Sequence, residues 1–243
     1  MAMEGIDHPG QPMVVGVDGC PGGWLAVTEA SHGSLTARVA ATFPALIRSF
    51  PSTAVFGVDI PIGLPEEGAR QCEKEARPLL GWPRMTSVFS APLRPCLVAR
   101  TYEQACGIRF RIEGKKMSRQ AFGILPKIRE VDEVLRASRT LATRVVEVHP
   151  EVSFLLMNDG TAMRHRKKSA DGKAARRALL DAQWPSSIEH LRATLRGQDY
   201  ALDDLMDAMA ALWSARRWVS GKGRVLGDPA VRDRQGLPMR MVG

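Results

Sequence analysis

Val14-Val15-Gly16-Val17-Asp18-Gly19-Cys20-Pro21-Gly22-Gly23-Trp24-Leu25-Ala26-Val27 is an apolar run that ends in an acid, reverses through glycines and resumes as a second apolar run. The pattern predicts strand, turn, strand, with Asp18 at the C-terminal tip of the first strand. The phrase recurs at Val55-Phe56-Gly57-Val58-Asp59, which again closes on an acid and is broken by Pro61. Two such strands, adjacent and parallel, would set their terminal carboxylates about 5 Å apart. That spacing suits a shared metal ion. Between them, Leu35 to Ala41 supplies a third strand, and Phe43, Leu46, Ile47 and Phe50 follow the i, i+3, i+4, i+7 spacing of a short helix. The resulting β-β-β-α-β order predicts an α/β fold built on a mixed sheet rather than a serial βαβ one.

Further along, residues 66–138 read as a helical insertion packed over one edge of the sheet. It holds a charged helix to Leu80, a proline-broken stretch to Pro95, and helices at Tyr102 to Arg111 and Ser118 to Ala137, the last kinked or restarted at Pro126. Val145-Val146-Glu147-Val148 returns as a fifth strand, stopped by His149-Pro150. Helices are then expected at Val152 to Met157, from Asp171 or Gly172 to Ala182, from Ser186 or Ser187 to Leu195, and from Asp203 to Val219. One domain over 13–220 is expected, with residues 221–243 as a tail trailing across the surface.

Composition fits an ordinary globular protein of 243 residues, with 44% hydrophobic and 25% charged residues. No apolar run approaches the roughly 20 residues of a membrane span. The start, MAMEGIDHPGQP, lacks the features of a signal peptide, so 1–12 reads as a disordered lead and the cytoplasm as the compartment. Cys20, Cys72, Cys96 and Cys106 form no CxxC pair, which argues against a zinc site. The net charge of +8 permits phosphate-rich partners, nucleic acid among them.

Three acids, Asp18, Asp59 and Glu147, fall at the ends of three strands. Because side chains alternate, Asp18 shares a sheet face with Gly16 and Asp59 with Gly57. On the final helix Asp203, Asp204 and Asp207 oppose an apolar side and sit among alanines, which allow close approach to a sheet. Asp203 and Asp204 also suit a first helical turn, where the dipole favours acids; Asp207 lies a turn further in. Crowded carboxylates repel unless cations neutralise them, and oxygen donors select Mg²⁺ or Mn²⁺. Asp18 would bridge two ions, Asp59 and Glu147 completing one, and Asp204 or Asp207 the other. Lys167 and Lys168, beside Arg166, could grip substrate phosphate or stabilise the transition state, with Lys168 as the catalytic cation. The alternative is a solvated loop. Arg176 and Arg177 could extend a phosphate track. His149 is either a proton shuttle or a local hydrogen-bonding group, and Trp24 belongs to the core.

Taken together, GVDGCPGGW, VDIPIGLP, SVFSAP, EVHPEVSF, KKSADG and DDLMDA resemble the family of unknown function catalogued as 429, described as predicted nucleases of the ribonuclease H-like fold. The resemblance runs from Val14 to about Gly221. It implies a five-stranded mixed sheet flanked by helices, with the first and fourth strands adjacent, and acids at Asp18, Asp59, Glu147 and the Asp204/Asp207 pair. That helix pair is similar to the one in Holliday-junction resolvase-type members of the superfamily. The leading expectation is therefore a metal-dependent nuclease acting on DNA or RNA. The glycine-rich hairpin is also similar to the phosphate-binding hairpin of the sugar-kinase and actin superfamily, although that architecture needs two such lobes. A non-catalytic nucleic-acid-binding module, with structural acids, is the third reading.

Overall fold

Valine-rich alternating segments fold here as predicted. The computed structural model describes residues 12–30 and 33–243, so the expected N-terminal lead lies, but for Pro12, outside the described residues. Val14–Cys20 (β1), Gly23–Glu29 (β2) and Leu35–Ala40 (β3) form an antiparallel meander. Phe43–Arg48 (α1) is capped by Thr42, whose Oγ1 accepts from the Ala45 N–H at 3.3 Å. Val55–Val58 (β4) then runs parallel beside β1. Next come Gln71–Leu80 (α2), Tyr102–Glu113 (α3), Arg119–Gly123 (α4), Leu125–Ala137 (α5) and Arg139–Ala142 (α6). Val145–Glu147 (β5) pairs in parallel with β4, followed by Pro150–Met157 (α7), Ala170–Gln183 (α8), Ser187–Thr194 (α9) and Leu202–Val219 (α10). The chain closes with Val225–Leu226 (β6) and Met241–Val242 (β7). Strand order in the main sheet is β3-β2-β1-β4-β5, an α/β five-stranded mixed sheet flanked by helices.

Two compact units emerge. The first holds Met1–Asp59, Arg144–Arg224 and Val242–Gly243, and therefore the whole main sheet with α1 and α7 to α10. Its core joins β1 to β3 with the inner faces of α7 to α10, where Leu25, Val27, Phe154, Leu205 and Leu212 are buried. Trp24 is fully buried against Phe43, ring centroids 5.1 Å apart. The second unit, Ile60–Thr143 and Val225–Met241, holds the helical insertion. Pro126 does restart a helix there: it stands in the first turn of α5, where its missing N–H costs no bond.

The closing residues depart from expectation. They do not trail across the surface, because Leu226, Leu237, Met241 and Val242 are buried. In the second unit Asp233 ties the segment down. Its carboxylate accepts from the Leu64 and Leu237 N–H groups, both at 2.9 Å, and pairs with Arg94 at 2.5 Å. In the first unit Val242 bridges Val148 in parallel. Among the described residues no helix is long and apolar enough to cross a membrane.

Candidate metal centre

The centre begins with two glycines. In the β1–β4 ladder Gly16 stands opposite Gly57, one step before Val17 opposite Val58. The Asp59 N–H donates to the Val17 carbonyl at 2.9 Å, which carries the ladder one residue past β4 and brings Asp59 beside Asp18. Alternation puts both acids on the same face as the two glycines. A Cβ at Gly16 would lie 2.1 Å from the Ala208 carbonyl oxygen and from the Leu212 nitrogen, and one at Gly57 would lie 2.7 Å from the Ala211 oxygen. Helix α10 therefore rests its backbone directly on the sheet, through its alanines. Asp207 immediately precedes Ala208, so this contact also carries its carboxylate to the tips of β1 and β4.

The consequence is a three-carboxylate cluster: one ligand oxygen each from Asp18, Asp59 and Asp207, all within 4.8 Å of one another. Asp18 is 8% exposed and Asp207 4%, while Asp59 is half-buried. Burial pushes the Asp18 carboxyl well above its usual range, and the charges of Asp59, Asp207 and Asp204 push it further, with Lys167 opposing. Asp59 is likewise raised by burial first, then by Asp207, Glu147 and Glu151. Burial raises Asp207 to about 6 even though the Lys167 ammonium pulls against it. Lys167 donates to Asp207 Oδ2 at 2.9 Å and stands 3.9 Å from Asp203 Oδ2. Partial burial lowers the Lys167 pKa, but Asp207, Asp59 and Asp18 outweigh it and the net shift is upward. A single ammonium faces three acids, which leaves a net negative, oxygen-lined cluster. That donor set fits a hard divalent ion.

The remaining predicted residues scatter. Glu147 is buried and close enough to raise Asp59, yet it is not one of the three. Asp204 takes the capping role open to it, its Oδ2 accepting from the Ala201 N–H at 2.9 Å. Lys168 is exposed. Lys167 departs from the expected phosphate grip, because its ammonium is held by the carboxylates. Arg176 is not on a phosphate track: its side chain is 1% exposed and ion-paired with buried Glu151. His149 marks the handover from β5 to α7, its carbonyl accepting from the Val152 and Ser153 N–H groups at 2.9 and 3.1 Å.

Arg176 nonetheless bears on the centre. Its Nη1 donates to the Gly172 carbonyl at 2.9 Å and the His165 carbonyl at 3.3 Å, so it underpins the loop that carries Lys167. Ser169 caps α8 through the Gly172 N–H at 3.1 Å, and a Cβ on Gly172 would lie 1.9 Å from the Arg166 oxygen. The KKSADG segment is thus a tight cap that aims Lys167 inward. Glu151, at the third position of His149-Pro150-Glu151, was not singled out in the sequence; the only signal for it is an acid directly after a strand-ending proline. At the hairpin, the Gly22 N–H donates to the Asp199 carbonyl at 2.7 Å, so this amide serves the fold and does not point at a phosphate.

A family model described as "Protein of unknown function (DUF429)" matches residues 16–232. No curated protein and no solved structure matches the chain.

Proposed function

The chain belongs to the DUF429 family, a family of unknown function, and from its three carboxylates we propose a metal-dependent nuclease that hydrolyses phosphodiester bonds of nucleic acid. The observation that carries this reading is the convergence of Asp18, Asp59 and Asp207 from three separate elements to within 4.8 Å. No folding requirement places three acids together at such electrostatic cost. These three would hold Mg²⁺ or Mn²⁺, with the buried charge of Glu147 close enough to act on Asp59. Bound there, the ion would supply an activated water and neutralise charge on the reacting phosphate.

The chain's own groups do the rest. Asp18 keeps one oxygen fixed by the Gly19 N–H at 2.7 Å, so its orientation is set before any ligand arrives. Lys167, its pKa raised, stays protonated through the neutral range and cannot serve as a base. Its role is charge: it balances the carboxylates. The engaged Gly22 amide counts against the kinase-like reading.

The test is cleavage of a panel of labelled DNA and RNA substrates with Mg²⁺ and Mn²⁺. Asp18→Asn should abolish metal-dependent cleavage. Undiminished cleavage by that variant excludes this centre. A rise in melting temperature with ATP and none with Mn²⁺ would instead favour the kinase-like reading, and no response to Mn²⁺ a binding module.

A further inference from the structure

The large apolar side chains exposed among the described residues, Phe110, Trp82 and Val98 foremost, all belong to the second unit. Phe110 is 57% exposed on α3, whose buried side is formed by Ala105 and Cys106. Core packing does not explain a phenyl ring there. One turn earlier Gly107 leaves the helix bare, and Arg111 lies back over it: a Cβ on Gly107 would meet Arg111 Nη1 at 3.7 Å. Gly114 ends the helix in the left-handed conformation at φ 67°. The chain then doubles back along α3, because the Met117 carbonyl accepts from the Tyr102 hydroxyl at 2.8 Å. Lys115 and Lys116, both exposed, lie on this return.

The charges on this face are one-sided. Glu113 is taken by Arg109 at 2.8 Å and by the Gly68 N–H at 2.7 Å. Lys115 also pulls on Glu113 electrostatically, while Arg111 and Lys116 are exposed and form no salt bridge among the described residues. Glu103, the other acid of α3, lies about 10 Å along the helix from Phe110. A protein partner would match the exposed ring, but lysines are depleted at protein interfaces. An exposed ring followed within six residues of chain by three exposed cations is the combination that holds single strands, a base stacking on the aromatic and the backbone following the charges. A duplex hides its base faces and would leave the ring unused.

We propose that this face of α3 and its return loop binds single-stranded nucleic acid, with Phe110 stacking on a base and Arg111, Lys115 and Lys116 contacting flanking phosphates. The inference rests on the nuclease reading for its purpose, but binding can be measured without turnover. The experiment is fluorescence anisotropy in EDTA with a labelled oligothymidylate, an oligouridylate and a duplex of matched length. The wild type should prefer the single strands. Phe110→Ala should weaken them roughly 10-fold and leave the duplex unchanged, and Phe110→Trp should restore binding. Replacing Lys115 and Lys116 together by alanine should reduce the slope of log affinity against log salt by about 1.4. Wild-type affinity in Phe110→Ala and in the double lysine variant overturns the proposal, as does binding to anionic vesicles but to no oligonucleotide. Cleavage that needs Asp18, with strand binding indifferent to Phe110, removes this surface and keeps the nuclease. Binding that needs Phe110, without cleavage by the wild type, does the reverse.

Discussion

Replacing Asp18 by asparagine should stabilise the metal-free protein at neutral pH. Two full charges 4.8 Å apart, at an effective dielectric constant near 20, repel by about 3 kcal/mol. The displacement of Asp207 from 3.8 to about 6 comes first from its burial, which a change at Asp18 leaves in place. Asp18 takes part in two of the three repulsive pairs, and Lys167 offsets part of the total. The expected gain for Asp18→Asn is therefore about 3 kcal/mol at pH 7.5 in EDTA. The amide oxygen can still accept from Gly19, so the local geometry survives.

The pH dependence has a definite sign. These carboxyls hold their protons more tightly folded than unfolded, so the native state binds more protons and stability falls as pH rises. The wild type should be unpenalised below about pH 4, the unfolded value, and should lose stability as pH climbs through about 6, where Asp207 titrates. Asp18→Asn should match the wild type at the acid end and exceed it at neutral pH. Mn²⁺ at about 1,000 times its Kd should invert the order, since it stabilises the wild type by about 4.1 kcal/mol and the variant far less. Urea unfolding, followed by the fluorescence of buried Trp24 and its fellow tryptophans, measures all of this. A variant less stable than the wild type at pH 7.5 in EDTA, or a gap that ignores pH, refutes the argument.

Lys167→Met removes the ammonium that competes with a divalent ion. As a half-exposed pair worth about 1 kcal/mol, its loss should tighten Mn²⁺ binding about 5-fold by calorimetry while lowering stability in EDTA at neutral pH. Gly16→Ala drives a methyl group into the α10 backbone 2.1 Å away. A loss of about 3 kcal/mol or more is expected, together with loss of Mn²⁺-induced stabilisation because α10 must lift Asp207; an unchanged melting temperature would contradict the packing described. Arg176→Met strands the Glu151 charge in the interior and should cost about 3 to 5 kcal/mol. Adding Glu151→Leu should recover most of that loss, which a double-mutant cycle measures directly.

Much of this was legible in the residue order. A period of two, broken by glycine and proline, locates the strands, and the repeated Val-x-Gly-Val-Asp phrase locates two acids at strand tips, because these signals are local. The pairing of β1 with β4 was also within reach, since the shared glycines mark where a helix must come close. The choice between Asp204 and Asp207 was not. Both lie on the same side of α10, and only the rotation imposed by Gly16 and Gly57 turns Asp207 to the centre and leaves Asp204 to cap its helix. The partners of Lys167 and Arg176 were hidden for a related reason: a basic residue in a loop or on a helix reads as available to phosphate until the chain's return path brings Asp207 or Glu151 against it. The buried closing segment also escaped notice, because its anchor, Asp233, finds Arg94 and Leu64 far away in the chain.

Residue order thus dictates which elements form and which carry carboxylates at their ends, since short-range sterics and burial patterns suffice for that. Which carboxylates meet, and which cation sits among them, is settled only when α10 packs on two bare glycines. That contact joins residues some 150 to 200 positions apart, and no local propensity encodes it.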